Sequence, residues 1–202
     1  MKSIEDSIRK YLLPIVLIVT LVPGITPLAN SQETKPELPE RKQTTLGLYV
    51  TSAEAYQMYL ADSENVKILD IRTPEEYLFI GHAAMAWNIP AFDQSYKWDA
   101  EKQHFPMQPN PDFVKIIKET FQPDDILLLT CRSGDRSALA VNALAKAGYT
   151  NAYTITDGFE GGILKDAESV FNGQRMVNGW KNSGLPYTYS INPKLMLIPG
   201  TK

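Results

Sequence analysis

One stretch limits the fold more than any other. Ile126-Leu127-Leu128-Leu129-Thr130 is a largely apolar run of strand length, and it passes through a short polar loop directly into a helical pattern. That pattern, Ala138 to Ala147, is rich in small residues and stops at Gly148, a residue type that commonly closes helices. A strand–loop–helix unit of this kind belongs in a parallel α/β sheet, where the ends of strands and the starts of helices gather on one side. The loop opens with Cys131, the only cysteine among 202 residues, and closes on Arg136. Backbone N–H groups and a helix N-terminus converge there, and both stabilise an anion.

A free thiol is mostly protonated at neutral pH, and positive helix ends and neighbouring arginines favour the reactive thiolate. Arg132 and Arg136 supply charge, Ser133 and Ser137 supply hydrogen-bond donors, and Gly134 permits the backbone angles of a tight anion-binding loop. Buried inert cysteines sit among apolar residues, which is not the setting of Cys131. Asp135 is the residue out of keeping with anion binding. Its carboxylate either repels a thiolate and an anionic substrate, or turns outward and fixes Arg132 or Arg136.

The loop Cys131-Arg132-Ser133-Gly134-Asp135-Arg136-Ser137 resembles the active-site loop of the single-domain rhodaneses, sulfurtransferases that carry sulfur as a cysteine persulfide. Ile68-Leu69-Asp70-Ile71-Arg72-Thr73-Pro74-Glu75-Glu76-Tyr77, Gly81-His82, Asn88-Ile89-Pro90 and Gly184-Leu185-Pro186 follow in the family's order, so the resemblance runs from about Leu46 to Tyr189. It implies a rhodanese-like α/β fold with a parallel central sheet flanked by helices on both faces. It also implies Cys131 as the catalytic sulfur carrier, with Arg132, Ser133, Gly134, Asp135, Arg136, Ser137 and Arg72 binding the substrate. The expected reaction takes sulfane sulfur from a small anionic donor such as thiosulfate to a thiophilic acceptor, with no metal or organic cofactor.

Two other readings compete. Phosphatases and arsenate reductases have five residues between cysteine and arginine, whereas four separate Cys131 from Arg136, and the smaller ring suits a sulfur atom better than a tetrahedral oxyanion. A non-enzymatic rhodanese-like module, carrying a persulfide or binding a partner, is the alternative from a different class. Asp70 and Arg72 also admit a structural role as a charged pair at a strand end, and His82 reads as a hydrogen-bonded turn residue rather than a base.

Residues 1–31 read as a signal peptide: a charged start, an apolar Tyr11-to-Val22 stretch, then Pro23-Gly24 and small residues up to Ser31. An uncleaved membrane anchor is the rival, and only in that case is a membrane a partner. The expectation is an exported, periplasmic protein. Residues 32–45 read as a linker, 46–190 as the rhodanese domain and 191–202 as a loosely packed tail. Thr51-Ser52-Ala53-Glu54 and Thr73-Pro74-Glu75-Glu76 both have capping-box spacing, so helices are predicted to start there. Strands are predicted near Leu48–Val50, at Val66–Ile71 and, as the last one, at Asn151–Ile155, with a helix after Asn110-Pro111-Asp112. The 91–110 stretch, dotted with aromatics, reads as a long irregular loop that either packs on the body or shapes the donor pocket. Residues 163–178 are an insertion relative to compact rhodaneses. The formal charge of −3 does not favour nucleic acid, the two histidines and one thiol give no zinc cluster, and a monomer is expected.

Overall fold

The computed structural model describes residues 38–197; the proposed signal peptide or anchor and residues 32–37 of the linker lie outside them. In chain order the elements are β1 (Tyr49–Val50), α1 (Ser52–Ala61), β2 (Val66–Asp70), α2 (Pro74–Ile80), β3 (His82–Ala83), β4 (Trp87–Asn88), β5 (Phe92–Gln94) and β6 (Met107–Pro109). They continue with α3 (Phe113–Thr120), β7 (Ile126–Thr130), α4 (Asp135–Lys146), β8 (Ala152–Ile155), β9 (Gly162–Ile163), β10 (Arg175–Val177) and β11 (Tyr187–Thr188). Five strands form a parallel sheet in the order β1-β8-β7-β2-β4.

The sheet is buried on both faces, which is why its inner strands read as nearly continuous apolar runs. Successive side chains alternate between faces. Leu69, Leu127 and Leu129 join Phe113 and Ile117 of α3 and Val141 and Leu144 of α4 in one core layer. Val66, Ile68 and Leu128 join Ala55 of α1, Phe159 and Trp180 in the other. Helices therefore cover both faces, as expected. Cys131 continues the alternation of β7 on the α4 side.

Both capping boxes form. Thr51 and Glu54 close the start of α1, and Thr73 and Glu76 close that of α2, with Pro74 at its first position. Four local expectations are corrected. Helix α4 begins at Asp135, so the second half of the Cys131 loop is already helical. The 91–110 stretch is ordered by the β5–β6 hairpin, with Gln94 Nε2 bridging to Phe105 O at 3.1 Å. Strand β8 is not the last: β9 and β10 pair within the 163–178 insertion, and β11 pairs with β3. The tail is not loose up to its last described residue, because Leu197 N donates to Asn88 O (2.9 Å) and Met196 bridges Asn88 in parallel.

Residues 38–45, expected to belong to a linker, are fastened to the body. A 3-10 turn, Glu40–Lys42, packs beside α4. Thr45 donates to Asn142 Oδ1 through its N–H (2.8 Å) and its hydroxyl (3.1 Å), Lys42 Nζ donates to Thr156 O (2.8 Å), and Arg41 pairs with Asp135. These partners lie about 95 or more residues away in sequence, so composition alone gave no sign of them.

Candidate functional site

The site stands beyond the carboxyl end of β7, where ligands of parallel sheets collect. Contrary to the expectation from its charged sequence neighbours, Cys131 is buried, only 1% exposed, and joins the apolar layer of Leu127, Leu129 and Val141, because it continues the inward alternation of β7. Its Sγ accepts from Gly134 N–H at 3.1 Å, and as a thiol it donates to Ser137 Oγ at 3.7 Å. Ser137 is itself buried and donates to Gly134 O (3.0 Å), so loop and helix start close on the sulfur. Gly134 has φ +100°, and a Cβ there would collide with the Thr156 carbonyl, so both its angle and its space require glycine.

A second strip supports the loop. Phe159 N–H donates to Cys131 O (2.7 Å) and Glu160 N–H to Arg132 O (3.0 Å). On its other side the strip accepts from Trp180 N–H and Lys181 N–H. Gly158 sits at φ +66°, and a Cβ there would lie 2.6 Å from Ser133 N. Asp157 ties this turn to the rest: Oδ1 accepts from Ser52 N–H and Oγ, both at 2.8 Å, and Oδ2 accepts from Gly179 N–H at 2.9 Å.

The charges are arranged differently from the expectation. Arg136 makes a two-pronged pair with Glu76 of α2, at 2.7 Å to Oε2 and 2.6 Å to Oε1, and Nη1 lies 3.2 Å from Met107 Sδ. Burial pushes the Glu76 carboxyl up, but the bonds and charge of Arg136, the Thr73 N–H and the charge of Arg72 outweigh it and hold Glu76 below the usual carboxylate range. Arg136 is thus engaged by a carboxylate rather than open to an anion. Asp135 pairs with neither loop arginine; it accepts from Arg41 Nε at 3.1 Å. Arg132 is exposed and, among the described residues, makes no ion pair.

Arg72 does not line the cleft. Its side chain is fully buried, bonded to Asp70 (2.7 to 3.2 Å) and to Gly81 O (2.7 Å), and its guanidinium lies 4.2 Å from the Phe159 ring centre. It follows β2 as expected, but the adjacent Asp70 turns it inward, and it props the strip under the loop through Phe159. His82 stacks on Tyr77 at 3.5 Å, with Nδ1 3.0 Å from Tyr77 O, and burial lowers its pKa; it is hydrogen-bonded as expected, but it lies in strand β3, paired with Thr188 of β11, rather than in a turn.

A cleft of about 420 Å³ opens at Cys131, lined by Glu76, Arg132, Ser133, Asp135 and Arg136, with Gln94, His104, Phe105 and Met107 of the β5–β6 hairpin forming the opposite wall. The hairpin therefore shapes the pocket. Residue types alone hinted at this through aromatic content, whereas Glu76 read only as a helix cap. Arg175 of the insertion donates to Gly161 O (2.7 Å); burial and the like charge of Arg132 lower its pKa, so the insertion brings a further cation close to the loop. Among the described residues no three His, Cys, Asp or Glu side chains group together as a metal site.

A family model described as a rhodanese-like domain matches residues 51–164. An uncharacterized protein of Rickettsia prowazekii is 33% identical over 140 residues, covering 69% of this chain and 96% of the relative. Thiosulfate sulfurtransferase 16, chloroplastic, of Arabidopsis thaliana is 34% identical over 93 residues, 46% of this chain and 70% of that protein. Among solved structures, the Rv0390 protein of M. tuberculosis superimposes with a TM-score of 0.54 at 26% identity, covering 70% of this chain and 97% of that one.

Proposed function

Because this chain belongs to the rhodanese-like family, we propose that it is a sulfurtransferase working through a Cys131 persulfide. The observation that carries the proposal is the setting of Cys131: its Sγ faces the Gly134 N–H at the start of α4 and opens on a cleft. The Cys131 thiolate attacks the outer sulfur of an anionic donor such as thiosulfate. The Sγ–S bond forms as the donor's S–S bond breaks, and the bonding pair leaves on sulfite. A thiophilic acceptor then attacks the outer sulfur of the persulfide and returns the Cys131 thiolate. The Gly134 N–H and the helix N-terminus stabilise the sulfur anion at both stages, and Arg132 attracts the incoming charge.

The phosphatase reading is disfavoured by Arg136, which it needs as an oxyanion ligand and which Glu76 holds instead. Intact-mass analysis after exposure to thiosulfate tests the proposal. The expected result is a gain of one sulfur on the parent protein, reversed by cyanide, and no gain on Cys131→Ser. Sulfur transfer to cyanide by Cys131→Ser within about tenfold of the parent would sink the mechanism. Export, the second part of the proposal, rests on residues 1–31; a mature N-terminus near Gln32 supports it, and a membrane-bound chain starting at Met1 supports the anchor.

A further inference from the structure

Built on the sulfur-transfer reading, the geometry points to the preferred donor: we infer that the cleft selects an organic persulfide carrying a carboxylate over inorganic thiosulfate. Charge disfavours the inorganic donor. Two arginines and two carboxylates line the cleft; Arg136 is neutralised by Glu76 at 2.6 to 2.7 Å and Asp135 by Arg41 at 3.1 Å, which leaves Arg132 as the lining cation without an ion pair among the described residues. A compact dianion entering beside a thiolate gains little from such a lining and loses its hydration. Size favours a larger donor. At about 420 Å³ the cleft falls in the range of small-molecule sites and far exceeds an inorganic dianion.

The hairpin wall favours an organic group. Phe105 is 50% exposed and Met107 borders the same space, so both offer apolar surface that an organic group would cover. Gln94 and His104 add polar atoms on the same wall. Arg132, exposed at the loop and without an ion pair among the described residues, is the lining cation left to take a carboxylate. In the transfer, the bond from Cys131 Sγ to the donor's outer sulfur forms as the donor's S–S bond breaks. The electron pair leaves on the organic sulfur as a thiolate, which takes a proton from solvent. The sulfane sulfur changes carrier, and no external oxidant or reductant is required.

The test measures the rate of sulfur loading on Cys131 by quenched intact mass, with N-acetylcysteine persulfide, benzyl persulfide and thiosulfate as donors. Each kcat/KM is divided by that donor's rate with free cysteine. After this correction N-acetylcysteine persulfide is expected to exceed thiosulfate by about tenfold or more. Phe105→Ala should lower kcat/KM for both persulfides about three- to tenfold, mainly through KM, and lower it less for thiosulfate. Arg132→Gln should reduce N-acetylcysteine persulfide more than benzyl persulfide. Thiosulfate equal to or faster than both persulfides, or equal losses for all donors in Phe105→Ala, would overturn the donor assignment and leave sulfur transfer standing. Failure of all three donors to load Cys131 would overturn both.

Discussion

Asp135 lines the cleft with a carboxylate whose partner is Arg41, a residue 94 positions earlier in the chain. This decides between the two roles open to it in the sequence. If Asp135 fixed a loop arginine, removing its charge would disorder the anion site; since Glu76 fixes Arg136, that route is closed. Asp135→Asn is therefore expected to raise kcat/KM for an anionic donor about two- to fivefold at low salt, with the gain shrinking as ionic strength rises. Its effect on stability should stay under about 1 kcal/mol, because the ion pair is exposed. Steady-state kinetics at two salt concentrations and a urea titration check both parts. Arg72 behaves oppositely. Fully buried with Asp70, it is expected to cost about 3–5 kcal/mol when replaced by methionine, an uncompensated Asp70 being left behind. Cys131, the loop and the Asp70–Arg72 pair were legible because neighbours in sequence carry them. Arg41 and Glu76 were not, since their partners come from segments far away in the chain.

Among the elements, the strip 158–160 and helix α2 govern the loop from below and from the side. Gly158→Ala must relieve both a positive φ and a Cβ placed 2.6 Å from Ser133 N, so the loop has to shift. The expected outcome is a loss of about 1–3 kcal/mol together with at least tenfold slower loading of Cys131, read from thermal melts and intact mass. Glu76 serves two elements at once: one carboxylate accepts from the Thr73 N–H at the start of α2 and from Arg136 in α4. Capping grammar made the first role readable in the sequence. The second depends on β2 and β7 lying side by side, which brings the helices that follow them together, and strand order has no local signature. The same limit left the β5–β6 wall as only one of two readings of the 91–110 stretch, since its strands are three residues long and too short for a period to show.

At the scale of the whole molecule, buried His82 and half-buried Glu76 both contribute to the response to acid. His82 has its pKa lowered by burial, so its contribution is complete above about pH 6.5 and is lost as pH falls. Glu76 is held below its ordinary value, so its contribution is complete above about pH 4.3 and is lost as pH falls through the lowered value. Unfolding free energy should therefore be flat near neutrality and decline in two stages on acidification. Glu76→Gln is expected to cost about 1–3 kcal/mol at pH 7 and progressively less as pH falls through the lowered Glu76 value and the parent carboxyl takes up its proton; urea titrations at pH 7 and at successively lower pH measure the difference. The parallel α/β architecture was readable from alternating strand and helix patterns. The fastening of residues 38–45 and of the chain around Met196 was not, because neither segment has a period and each is held by bonds to distant backbone or side chains. The second of these contacts governs self-association. The sheet ends at β4, a strand of two residues, and Met196 and Leu197 occupy the outward backbone groups of Asn88 that another molecule's strand would otherwise recruit. A chain ending at Ser190 is thus expected to retain its fold yet form oligomers that grow with concentration and scatter light on storage, while the full-length protein stays dispersed.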